Sequence, residues 1–158
     1  MAAGEALRAA GFAAVGIANN VNHGAAAILA SIARLDRLGI AHTGAGANRA
    51  AARAAATVKR GGLTIGFLQR SSVYWPTNHE AGEETAGIAV IRGHTAYQVP
   101  TSGTHPPFNR PGVPPFIITW ADQAYLKWLA EDIAALRAEA DIAVASFVGG
   151  WTARCSIT

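Results

Sequence analysis

Asn19 and Asn20, with His23 three residues further on, stand directly after the apolar run Ala13 to Ala18. An amide oxygen at the carboxyl end of a buried strand can ligate a hard divalent cation, and a neighbouring imidazole can ligate it too or donate a proton. That chemistry makes Asn20, with Asn19, a candidate metal-ligand pair and His23 a candidate catalytic group. Asparagine is equally an ordinary turn residue where a strand ends, and a single loop histidine is more often simply solvated. A second constellation, Tyr74, Trp75, His79 and Glu80, is a candidate ligand-binding knot in a long loop. The same four side chains would also serve as that loop's own small core. No Ser–His–acid set and no carboxylate pair at an interpretable spacing can be assembled, and His94, His105 and Arg110 receive no role.

The glycine loop Gly44-Ala45-Gly46-Ala47-Asn48 imitates a dinucleotide fingerprint but fails its tests. Arg49 stands at the third glycine position, the preceding extended piece is short, and the next acid is Glu80. A turn that lets two elements pack closely is the better reading.

These residues need elements to hold them. Ala13 to Ala18 has the length and flanks of a fully buried strand. Ile28, Ile32, Leu35 and Leu38 form one face of a helix over 25–38, with Arg34 and Arg37 outside it and Gly39 as its stop. A helix turn over 5–10 ends at Gly11, and Asn48 N-caps a turn over 49–54. Thr57 to Arg60 and Leu63 to Leu68, joined by Gly61-Gly62, predict a hairpin. The stretch 69–114 is the least regular, with a brief strand at 87–91. Phe116 to Thr119 reads as a strand, and a helix over 123–138 follows it, capped by Asp122 or Thr119. Its inner stripe is Leu126, Leu129, Ile133 and Leu136, with Asp132 off it, and a buried strand over 141–147 comes last. Strand, helix, strand with short links predicts an α/β fold with mainly parallel strands.

At 158 residues, 51% apolar and 15% charged, the chain supports one domain with a real core and excludes a disordered tail. Its net charge of +3 is scattered and not gathered into a basic patch, so nucleic acid is not expected as a partner. The lone Cys155 excludes an internal disulfide. No stretch reaches the roughly eighteen apolar residues that a bilayer span needs, and MAAGEALRAAGF has no apolar signal core.

The segments AGFAAVGIANN, LGIAHTGAGAN, GGLTIGFLQRSSVYWPTNHE, HTAYQVP and ITWADQAYLKWLAEDIAALRAEADIAVAS together resemble the CapA-type capsule or poly-γ-glutamate biosynthesis proteins, over about residues 5–147. Those proteins belong to the calcineurin-like metallophosphoesterase superfamily. The resemblance implies part of a layered α/β/β/α sandwich with a divalent metal site (Mn, Mg or Zn) at its strand ends. It also implies a role in cell-envelope polymer synthesis, with the polymer or proteins of a biosynthetic complex as partners. Carried over, Asn20 is the metal-coordinating asparagine. Val21 stands where the family's histidine should be and Gly24 where its aspartate should be, so His23 is an approximate substitute. The family's upstream metal-binding Asp motif and later paired-His motif have no counterpart. After Phe147 the chain reads VGGWTARCSIT in place of a His-Trp-Gly type motif.

Two-metal hydrolysis needs several ligands to hold ions about 4 Å apart. The expectation is therefore an interior part of a CapA-like domain over 1–147, inactive by itself, with a frameshifted or non-native tail over 148–158. The rival expectation is a non-catalytic binding or scaffold module whose 69–114 loop holds an envelope polymer or a protein.

Overall fold

A computed structural model describes residues 3–75, 79–99, 112 and 114–149. The chain has an α/β fold. Helix α1 (Ala3–Ala9) leads to β1 (Ala14–Gly16), α2 (Ala25–Leu38), β2 (Ala41–Thr43), β3 (Ala45–Gly46) and α3 (Arg49–Arg53). The hairpin β4 (Ala56–Arg60) and β5 (Leu63–Ser71) follows, then β6 (Gly87–Ile88), β7 (Gly93–Gln98), β8 (Phe116–Ala121), α4 (Gln123–Glu139) and β9 (Ile142–Val148).

The pairing is mixed. β1 runs parallel to β2 and β5 parallel to β9, whereas β3–β6, β4–β5 and β7–β8 are antiparallel. One of the three antiparallel pairs comes from a short connection: Gly61 and Gly62, at φ of 58° and 81°, close β4 onto β5 with the positive φ of a tight two-residue turn, whereas β3–β6 and β7–β8 join strands well separated along the chain.

The first strand is shorter and less buried than its apolar run predicts. Its ladder with β2 continues as far as Ile17 N–H, which donates to the Thr43 carbonyl at 2.9 Å. Ala18 N–H then turns to a side chain, Gln69 Oε1 at 2.7 Å. Gly16 makes room for that side chain, since a Cβ there would lie 2.5 Å from the Gln69 amide. Beyond the strand, Ala18 is fully buried with Ile28, Ala45, Ile88 and Val90, and Tyr74 and Tyr125 pack against this cluster.

Helix α2 buries Ile28 and Leu35, with Ile32 and Leu38 half-buried, and ends at the left-handed Gly39. Arg34 leaves the stripe to pair with Glu5 of α1. Asn48 caps α3 by accepting from Ala51 N–H at 2.8 Å. An N-cap of this kind contributes about 1 kcal/mol. Asn48→Ala is therefore expected to lower the unfolding free energy by about 1 kcal/mol in urea titration, and Asn48→Asp to cost little.

Helix α4 is rotated from the predicted stripe. Only Leu136 is buried and Leu126 is exposed, whereas Tyr125, Trp128, Leu129, Asp132 and Ile133 are half-buried. The inner face has turned toward an ion pair that Asp132 makes. Leu136 lies over Gly66 of β5, whose absent side chain lets the helix approach (a Cβ there would meet Leu136 Cγ at 3.0 Å). β9 is also not the buried strand predicted: Ile142, Val144 and Phe147 are all exposed. It pairs with β5 on one edge through Val148↔Ser71. β7 was not anticipated, because its partner β8 lies well down the chain. His105 and Arg110, and most of the predicted tail, fall outside the described residues. No helix among the described residues is long and apolar enough to cross a membrane.

Candidate functional site

The loop after β1 is built by asparagine turns. Asn19 Oδ1 accepts from Val21 N–H at 3.1 Å, and Asn22 Oδ1 from Gly24 N–H at 3.2 Å. Asn19 and His23, both exposed, share the rim of a cavity of about 240 Å³ with Asn22, Ser31 and Ala45. Asn20 is half-buried and does not line it. The geometry thus groups Asn19 with His23 and leaves Asn20 apart.

This donor set does not fit a two-metal centre. It offers neutral amides and one imidazole, the amide oxygen of Asn19 already accepts from the backbone, and the loop supplies no carboxylate. Hard divalent ions in hydrolases are held by carboxylates and imidazoles acting together. Among the described residues no group of three or more His, Cys, Asp or Glu side chains is arranged to hold a metal.

The second constellation separates. His79 is buried and closes its own loop: its Nδ1 accepts from Trp75 N–H at 3.4 Å, and its carbonyl accepts from Ile88 N–H at 2.6 Å. Tyr74 packs on the central cluster, and burial raises its phenol above the ordinary value. Trp75 alone presents its ring to solvent. Glu80 joins a different and larger group. It accepts from Arg92 Nη2 at 2.8 Å and from the Tyr125 hydroxyl of α4. Burial, then the Glu80 carboxylate, hold Tyr125 well above the usual tyrosine range, so the phenol stays a donor. The hydrogen bond to Glu80 likewise raises Arg92.

Around this bond lies an arginine–aromatic cluster that the sequence reading missed. Arg49 and Arg53, one helical turn apart on α3, each place the guanidinium carbon 5.2 Å from the ring centre of Trp128. Trp128 packs tilted against Tyr125 at 5.0 Å, and Arg92 lies over Tyr125 at 5.3 Å. Asp132 receives Arg53 through two bonds of 2.9 and 2.8 Å, and also the buried Arg70 of β5. Burial lowers Arg70 below the ordinary arginine value, and Asp132 opposes that shift. The sequence held half a signal: RAAAR spaces two cations four apart, and Tyr125, Trp128 and Asp132 recur at three and four. Nothing local says that these two faces meet.

A smaller pair lies at the start of α4. His94, stacked on Trp120, places Nε2 2.9 Å from Asp122 Oδ2, and Asp122 caps the helix by accepting from Ala124 N–H at 2.9 Å. The bond from His94 leads the effects that hold the Asp122 carboxyl below its usual value.

None of the curated proteins matches the chain. The family described as bacterial capsule synthesis protein PGA_cap matches residues 1–155, essentially its whole length. The chain therefore belongs to that family, with the role in capsule synthesis that the description carries.

Proposed function

We propose that the chain serves synthesis of a poly-γ-glutamate type of capsule as a calcineurin-like, metallophosphoesterase-type module, and that these residues do not hydrolyse phosphoesters unaided. The metallophosphoesterase-type reading is supported by the position of Asn19 and Asn20 at the carboxyl end of β1, where the resemblance puts a metal-ligating asparagine. The observation that carries the inactive reading is the donor set itself. The loop that carries Asn20 contains no carboxylate, and among the described residues no group of three or more His, Cys, Asp or Glu side chains is arranged to hold a metal. A working Mn, Mg or Zn centre would need carboxylate and histidine ligands beyond Asn20. Calorimetric titration with manganese, magnesium and zinc is expected to give the same heats for the wild type and Asn20→Ala, with no hydrolysis of p-nitrophenyl phosphate. A stoichiometric heat that disappears in Asn20→Ala would overturn this reading.

A second reading, a non-catalytic scaffold for an envelope polymer or a partner protein, is favoured by two features, the exposed Trp75 and the arginine–aromatic cluster. Here the chain binds without metal, and the cluster is the natural contact for acidic groups.

A further inference from the structure

The arginine–aromatic cluster carries more positive charge than it compensates. Four guanidiniums, Arg49, Arg53, Arg70 and Arg92, face two well-shielded carboxylates, Glu80 and Asp132. Glu83 and Glu131 approach only at 3.6 and 3.9 Å and are mostly solvated, so they neutralise little. Arg53, Arg70 and Arg92 each have a close carboxylate partner. Among the described residues, Arg49 has Glu83 alone as an ion partner, and its Nε is buried with no hydrogen-bond acceptor.

Trp128 holds the Arg49 guanidinium as a platform, which lowers the entropy cost of using it. Arg49, Arg53, Arg70, Glu80, Tyr125 and Trp128 line a cavity of about 20 Å³, the room of a single oxygen atom. Arg49, whose side chain is one-third exposed, thus joins the cavity to solvent-accessible charge.

We propose that this cluster is an oxyanion-binding site, in which Arg49 takes a carboxylate or phosphate group at the cavity mouth and one ligand oxygen enters the cavity. The planar fork of a guanidinium suits both groups, and the surplus charge of Arg53 and Arg70 behind it adds attraction. Only the assignment of that anion to an acidic capsule polymer rests on the function proposed above.

The test titrates the full chain with inorganic phosphate and, separately, with glutarate at constant ionic strength, followed by tryptophan fluorescence and by calorimetry. The wild type is expected to bind at least one probe saturably. Arg49→Met should weaken binding by about tenfold or more, as loss of a charge-assisted contact implies, with Arg49→Lys intermediate and Arg60→Met unchanged. Glutarate binding tighter than phosphate would mark a carboxylate ligand, and the reverse a phosphate ligand. Should Arg49→Met fail to fold, Arg49→Lys decides. No saturable binding by the wild type, or an Arg49→Lys variant indistinguishable from it when Arg49→Met is not soluble, overturns the site. So does equal binding by Arg49→Met, which would leave the cavity to a water alone. If the probes bind but γ-linked glutamate oligomers do not compete, the site stands and the polymer assignment falls.

Discussion

Asp132→Ala is expected to lower the unfolding free energy by about 3–5 kcal/mol, the range found when one member of a buried ion pair is removed. The cost arises in Arg70. Its side chain is only 3% exposed, and Asp132 is its carboxylate partner. Without Asp132 the guanidinium keeps its charge and loses its counter-charge, because arginine does not deprotonate to escape burial. Arg53, the other cation on Asp132, is more exposed and can turn to water or to Glu131, so Arg53→Met should cost distinctly less. The double variant Asp132→Leu/Arg70→Met removes both charges together and is expected to recover most of the loss. Urea denaturation of the four proteins measures this. An Asp132→Ala midpoint within error of the wild type would show that the pair holds nothing.

Gly87→Ala should destabilise the chain by about 1–3 kcal/mol, the usual cost of forcing atoms into a packed interior. The sign is the informative part. Gly87 does not have a positive φ, so alanine suits its backbone, and the lost freedom of the unfolded chain would by itself stabilise by about 0.4–1 kcal/mol. Contact decides against it. A Cβ on Gly87 would lie 2.6 Å from the His79 carbonyl oxygen and nearer still to the Ala81 nitrogen, both backbone atoms with little freedom to yield. Its strand partner Gly46 is placed the same way, with a Cβ 2.5 Å from the Ala51 carbonyl carbon. This pair of facing glycines lets α3 and the 79–81 segment close on the β3–β6 ladder. That closure brings Arg49 and Glu80 to one cluster. Thermal unfolding of Gly87→Ala checks the prediction, and an unchanged or raised midpoint would refute the packing argument.

Gly44 shows the same close approach: a Cβ there would meet Ala18 Cβ at 2.8 Å. The glycine loop is thus a packing device, as its departures from a dinucleotide fingerprint indicated.

What the amino-acid order determined by itself was the local punctuation. Gly39 ends α2, Asn48 and Asp122 cap α3 and α4, and Gly61-Gly62 turns β4 into β5. Each depends on hydrogen bonds or dihedrals within a few residues, so residue type and spacing suffice. The family resemblance was also legible, because it lies in residue order and needs no coordinates. Tertiary structure decided the rest. Gln69 stands 51 positions from the Ala18 N–H that it receives, and Arg53 stands 79 from Asp132. The predicted stripe of α4 treated Asp132 as a solvent residue, since charge on a helix normally faces water. It turns inward because two arginines from α3 and β5 are already there, and burying a carboxylate is tolerable only beside such partners. Periodicity records which residues prefer water, but it cannot record which distant charge will be waiting on the other side.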